Sequence, residues 1–143
     1  MASEIDRLLN GAMDRLAAPG GPLETVPYEL GGHAYPAFKQ APPSLAAMFA
    51  ATCAQHGDAP FLVDGEVRLS FAETYALARR MAVGLIAQHG VERGDRIGIA
   101  GRNSANWIIA YMAVLMAGGC ATLLNGWWTG GELAGGIALT GCK

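Results

Sequence analysis

Charge is scarce in this sequence: Asp, Glu, Lys and Arg make up only 15% of its 143 residues. The ten cations are scattered and the formal net charge is −2, so no basic stripe is offered to a phosphate backbone and nucleic acid is not an expected partner. Cysteine is nearly absent. Cys53, Cys120 and Cys142 are odd in number and lack Cys-x-x-Cys or His-ligand spacing, which argues against a disulfide framework or a zinc site. Small buried hydrophobes in a reducing compartment account for them. A basic and then apolar leader is missing as well, since Met1 is followed by Glu4 and Asp6; no secretory signal is expected, and the location read from the sequence is cytoplasmic. The sharpest absence is local. From Asn103 to Gly131 there is no charged residue.

What is present is apolar, 52% by residue type, and a chain of this length can bury a real core. Ser3 can cap a short helix whose Ile5, Leu8, Leu9, Ala12 and Leu16 follow three-four spacing, a stripe that predicts packing against another element. Pro19, Gly20-Gly21, Pro22, Pro27, Gly31-Gly32, Pro36 and Pro42-Pro43 then punctuate a stretch that reads as an extended arm, too broken for long elements. A second helix runs from the Ser44 cap through His56, with Gly57 at its end. Phe61 to Val63 and Glu66 to Leu69 flank Asp64-Gly65 and predict a hairpin turning on that pair. Ser70-Phe71-Ala72-Glu73 has capping-box spacing and starts a helix that Gly90 ends.

Beyond it, Arg96 to Ala100 reads as a strand, Asn103 or Ser104 as a cap, Trp107 to Ala117 as a helix, and Cys120 to Leu124 as a second strand. Thr129 to Glu132 repeats the capping-box spacing before a short helix over 133–139, despite two glycines that are poor helix formers. The alternation predicts an α/β fold of βα repeats with mostly parallel strands, buried on both faces and therefore apolar throughout. A rival must be answered, because Trp107 to Leu124 approaches the roughly 20 apolar residues of a membrane span. Gly118-Gly119 interrupts that stretch, and a span would leave the flanking repeats without a sheet, so no transmembrane segment is expected.

Several pieces, in order, resemble the AMP-forming adenylating enzymes. Leu69-Ser70-Phe71-Ala72-Glu73 is similar to that family's first core motif. Gly90-Val91-Glu92-Arg93-Gly94-Asp95-Arg96-Ile97 resembles the turn into its next strand, and Asn103-Ser104 its Asn-Ser before a helix. Leu115 to Asn125 is similar to the second core motif, with Met116 where Lys is usual and no proline near Asn125. Asn125-Gly126-Trp127-Trp128-Thr129-Gly130-Gly131-Glu132-Leu133 resembles the Asn-x-Trp-Trp-Thr-x-x-Glu-Leu of a fatty acyl-CoA synthetase branch, as do Ala18 to Pro22 and Pro42 to Leu45 in the leader.

The resemblance implies the start of the large amino-terminal domain of an acyl-CoA synthetase-like fold. Residues 1–43 would be a leader helix and Pro/Gly-rich arm, and residues 44–143 the first, truncated part of an AMP-binding α/β domain. It implies a parent enzyme that adenylates a fatty or other carboxylic acid with ATP and Mg and transfers the acyl group to CoA. The phosphate loop, the ribose-holding segment and the catalytic Lys of that family would lie beyond Lys143, so no ligand is expected to bind these residues alone and they would be inactive. Gly98-x-x-Gly101 and Gly118-Gly119 lack the spacing of a phosphate cradle. His33, His56 and His89 stand alone, two of them suited to helix ends, and Glu73 has a capping partner. Trp127 and Trp128 could line a ligand-tunnel mouth, but packing of their loop on the sheet is the plainer expectation. No catalytic, cofactor-binding or metal residue is named. A sheet left one strand short would expose an edge and favour self-association. Two alternatives remain at this level, a free-standing α/β binding module and the amino-terminal part of another adenylating enzyme.

Overall fold

A computed structural model describes residues 3–143, which form two compact units, one reaching to Pro43 and one from Ser44 to Lys143. In the first, helix α1 (Glu4–Ala17) begins at a capping box. Ser3 Oγ accepts the Asp6 amide at 3.1 Å and Asp6 Oδ2 accepts the Ser3 amide at 2.8 Å, so two otherwise orphaned donors are satisfied. Within its own unit the apolar stripe is left open: Ile5, Leu8, Leu9 and Met13 are exposed, and no described residue of this unit is fully buried.

The extended arm is corrected to a hairpin of β1 (Thr25–Leu30) and β2 (His33–Phe38). Gly31 and Gly32 take the positive φ angles, 60° and 81°, that a two-residue hairpin turn favours. The prolines are tolerated because of register. Pro27 lies opposite Pro36, and counting outward from Leu30–His33 in an antiparallel ladder makes theirs a non-hydrogen-bonded pair, whose nitrogens point away from the partner strand. The same count makes Glu24–Lys39 a bonded pair. The Lys39 amide donates to Glu24 O at 2.8 Å, and Lys39 Nζ lies 3.0 Å from Glu24 Oε1.

The second unit opens with α2 (Leu45–His56), capped by Ser44. A hairpin follows, β3 (Pro60–Asp64) with β4 (Val67–Ser70), but its turn is one residue later than expected. Asp64 pairs with Val67, so Gly65 and Glu66 occupy the centre, and Gly65 alone takes positive φ. An Asp64-Gly65 centre would have required that angle of Asp64. Freed from the turn, the Asp64 carboxylate accepts the Ala105 amide at 3.0 Å. Helix α3 (Phe71–His89) starts at the expected capping box, with Glu73 N to Ser70 Oγ at 3.1 Å and Ser70 N to Glu73 Oε2 at 2.9 Å. It packs on α2 and on α4 (Ala105–Met116) around Cys53, Ala78, Ile109 and Met112, with Phe49, Phe61, Leu69 and Phe71 against them.

Strand β5 (Arg96–Gly101), α4 and β6 (Cys120–Asn125) form the βαβ core of the unit. The two strands are parallel, with Arg96 opposite Cys120 and Gly101 opposite Asn125. Parallel pairing among the described residues is confined to this pair, the other two sheets being hairpins. The charge-free run therefore reads correctly as helix, glycine break and strand, although burial on both faces is incomplete: Leu123 is 53% exposed. Helix α5 (Gly130–Thr140) starts earlier than its glycines suggest, because the Thr129–Glu132 capping box fixes the first turn whatever the propensity of residues 130 and 131. Among the described residues, no helix is long and apolar enough to cross a membrane.

Candidate functional site

Parallel strands bring their carboxyl ends to one side, and crevices for ligands in α/β sheets form outside those ends. Here that position holds a cleft of about 370 Å³, lined chiefly by Gly101, Arg102, Asn103, Trp107, Asn125 and Trp127. One wall is the turn from β5 into α4. Ser104 caps that helix, its Oγ accepting the Trp107 amide at 3.2 Å while Asp64 takes the Ala105 amide, and Trp107 stacks on Tyr111 with ring centroids 5.8 Å apart.

The other wall is the turn from β6 into α5. Asn125 folds it back on itself: its side-chain oxygen accepts the Trp127 amide at 3.0 Å and its carbonyl the Trp128 amide at 3.1 Å. The two turns touch at Gly126. A Cβ there would fall on the Gly101 carbonyl and 2.9 Å from the Arg102 nitrogen, so only glycine permits this approach. The Arg102 guanidinium then lies over the Trp127 ring, its Cζ 4.3 Å from the centroid.

The two tryptophans have different fates. Trp128 seats against α5, where a Cβ on Gly136 would come 2.5 Å from its Cζ3. Trp127 is 73% exposed and faces the cleft. Among the described residues no Asp, Glu, His or Cys lines the cleft, and Arg102 is the charged group there. The arrangement can hold an anionic or planar group by charge, stacking and amide hydrogen bonds. It carries no side chain able to take a proton at neutral pH.

The histidines are not brought together. His33 packs edge-on to Tyr35 in the first hairpin, His56 rests against Phe71 at the end of α2, and His89 sits in the last turn of α3. Glu73 is committed to its cap, which holds its carboxyl below the usual range chiefly through the Ser70 amide. All three cysteines are free thiols; Cys53 lies in the core, where burial pushes its thiol upward, Cys142 is buried, and Cys120 is exposed at the start of β6. Among the described residues no three His, Cys, Asp or Glu side chains converge as a metal site would require. Sequence reading passed over Arg102. Its signal was its place, the last charge before the charge-free run and the first residue after a strand.

The sequence model of a family described as "AMP-binding enzyme" matches residues 49–143. The medium/long-chain-fatty-acid–CoA ligase FadD6 of Mycobacterium tuberculosis is 34% identical over 100 residues, 70% of this chain and 17% of its own length. The 4-coumarate–CoA ligase 3 of Arabidopsis thaliana is 34% identical over 88 residues, 60% of this chain and 16% of its own. Among solved structures, the O-succinylbenzoate coenzyme A synthetase of Bacillus subtilis in complex with AMP superposes with a TM-score of 0.60 at 29% identity, covering 66% of this chain and 25% of that one. The chain thus spans about a sixth of the length of the curated relatives it matches.

Proposed function

The chain belongs to the AMP-binding enzyme family, and from that membership we propose that it is the amino-terminal portion of an AMP-forming acid–CoA ligase acting on a medium- or long-chain fatty acid. Residues 44–143 are the first part of its amino-terminal α/β domain, and residues 1–43 a leader. The observation that carries the reading is the Asn-Gly-Trp-Trp-Thr loop, Asn125 to Thr129, closing a cleft at the carboxyl ends of two parallel strands within the matched region. The likeness to a fatty-acid–CoA ligase over 100 residues supports the acid class.

The chemistry such an enzyme performs is attack of a carboxylate oxygen on the α-phosphate of ATP, which breaks the α–β phosphoanhydride bond and releases pyrophosphate, followed by attack of the CoA thiol on the acyl-adenylate carbonyl with AMP as the leaving group. Both partners of the first step are anions, so donors and cations must surround the phosphates. The cleft does not fit a Mg site. Magnesium is held through carboxylate oxygens and phosphates, and the cleft offers no carboxylate, while the Asn125 side-chain oxygen is already bonded to the Trp127 amide. In this reading Mg is held elsewhere in the enzyme, and these residues contribute a wall: Arg102 and Asn103 orient an anionic or polar group, and Trp107 and Trp127 exclude water. A cytoplasmic location goes with this reading.

The test is to express the reading frame that contains these codons and supply ATP, Mg, CoA and saturated acids of graded chain length. Mass spectrometry should find acyl-CoA, greatest for medium or long chains. Thioester formation only from an aromatic acid would overturn the substrate class, and no thioester from any acid would overturn the ligase reading.

A further inference from the structure

Asp64 is tied to the cleft from outside it. The first turn of α4 presents amides that have no partner within the helix. Ser104, the cap, takes the Trp107 amide on its Oγ at 3.2 Å, the reach of a capping side chain. The Ala105 amide, one position after the cap, is accepted instead by Asp64 Oδ2 at 3.0 Å, from 41 residues back along the chain. A carboxylate is the stronger kind of acceptor, and its charge suits the positive end of the helix.

The hairpin that carries Asp64 is anchored in the core. Phe61 stacks on Phe71 with centroids 4.3 Å apart, Leu62 and Leu69 pack against the core cluster, and Asp64 itself pairs with Val67. At the other end of the turn, Gly101 is held in β5 opposite Asn125 and abuts Gly126. Arg102, Asn103 and Ser104 alone lie between these two fixed points, so the bond at Ala105 limits where Arg102 can stand. The wall is thin: Asn103 lines the cleft on one side and, on the other, a hollow of about 230 Å³ shared with Leu62, Asp64 and Ile108.

We propose that Asp64 is a positioning residue of the cleft: holding the first amide of α4 from the β3–β4 hairpin, it sets, through the Arg102-Asn103-Ser104 turn, the place of Arg102 over Trp127. The hairpin is then part of the cleft's frame, although Asp64 does not line it. A cap alone would steady α4 and no more. A positioning residue is felt on the opposite wall as well, at the Trp127 and Trp128 amides that Asn125 holds in the β6–α5 turn. The part Asp64 plays in function rests on the reading of this cleft as the ligase's, whereas its geometric role does not depend on what the enzyme catalyses.

The experiment follows amide hydrogen exchange by mass spectrometry in the protein from the complete reading frame, over residues 102–107 and 125–129, with 74–86 in α3 as the measure of an intact fold. Asp64→Ala should quicken exchange roughly tenfold or more in both segments and leave α3 unchanged. Asp64→Asn, whose side-chain oxygen can still accept, should recover most of the protection. Ala105→Pro removes the same bond from its donor end, at a helix position that suits Pro, and should reproduce the pattern with no further change when the two substitutions are combined. If Asp64→Ala loosens α3 as well, Ala105→Pro carries the test. Fast exchange confined to 102–107 would reduce Asp64 to a helix cap and overturn the proposal, as would no change in either segment.

Discussion

Thr74 is fully buried in α3, and its hydroxyl has no hydrogen-bond partner among the described residues. An unmet buried hydroxyl is a cost, so replacing it by a methyl of the same shape should not hurt. Thr74→Val is expected to be neutral or to stabilise the chain by up to about 1 kcal/mol in urea denaturation; a loss of that size would mean the hydroxyl has a partner. At the cleft the expectations run the other way. Gly126→Ala drives a methyl into the Gly101 carbonyl and should cost about 1–3 kcal/mol, read as a lower melting temperature. Arg102→Gln should leave the fold intact while making Trp127 more accessible to acrylamide quenching, because the guanidinium over its ring is exposed and worth only about 0.5–1 kcal/mol. Unchanged quenching would show that the stack does not hold in solution. Arg102 was not legible in the sequence because its partner is far along the chain, and only the parallel pairing of β5 and β6 brings the two turns together.

Local chemistry decides the elements that were legible. Ser70 to Glu73 and Thr129 to Glu132 contain their own starts, since both partners of each box lie within one turn, and the helices begin there. The first hairpin was hidden for the opposite reason. Pro27 and Pro36 read as breakers one at a time, and only their register opposite each other makes them harmless. The caps carry a pH dependence. Asp6, Glu73 and Glu132 are held below the ordinary carboxylate range, first by the backbone amides of Ser3, Ser70 and Thr129. Their folded pKa values lie below the unfolded ones, so the stabilisation is complete above the ordinary carboxylate range and is lost as pH falls through it toward the lowered values. Melting temperature should therefore drop on acidification, and Glu73→Gln should make that drop shallower. An equally steep acid limb in the Gln variant would remove the cap from the explanation.

On the scale of the whole molecule, apolar surface is left uncovered. Leu123 on β6 and Ile5, Leu8 and Leu9 on α1 are more than half exposed. Burying each such side chain is worth on the order of 1.5–3 kcal/mol, against roughly 5–15 kcal/mol for a whole domain. The 143-residue chain alone is therefore expected to self-associate, with sedimentation coefficients that rise with concentration; a monomer at every concentration would contradict this. The α/β class was legible because a charge-free run broken by Gly118-Gly119 fits helix, break and buried strand. The exposure of α1 was not, because three-four spacing shows that a face is apolar without showing what covers it.

As proposed, these residues belong to an enzyme that activates a carboxylate as its adenylate. Fatty-acid-dependent exchange of labelled pyrophosphate into ATP, measured without CoA, isolates that step. The protein from the complete reading frame should catalyse the exchange, and the 143-residue chain should show none. Exchange by the short chain, or its absence from the complete protein with every acid supplied, would contradict the account.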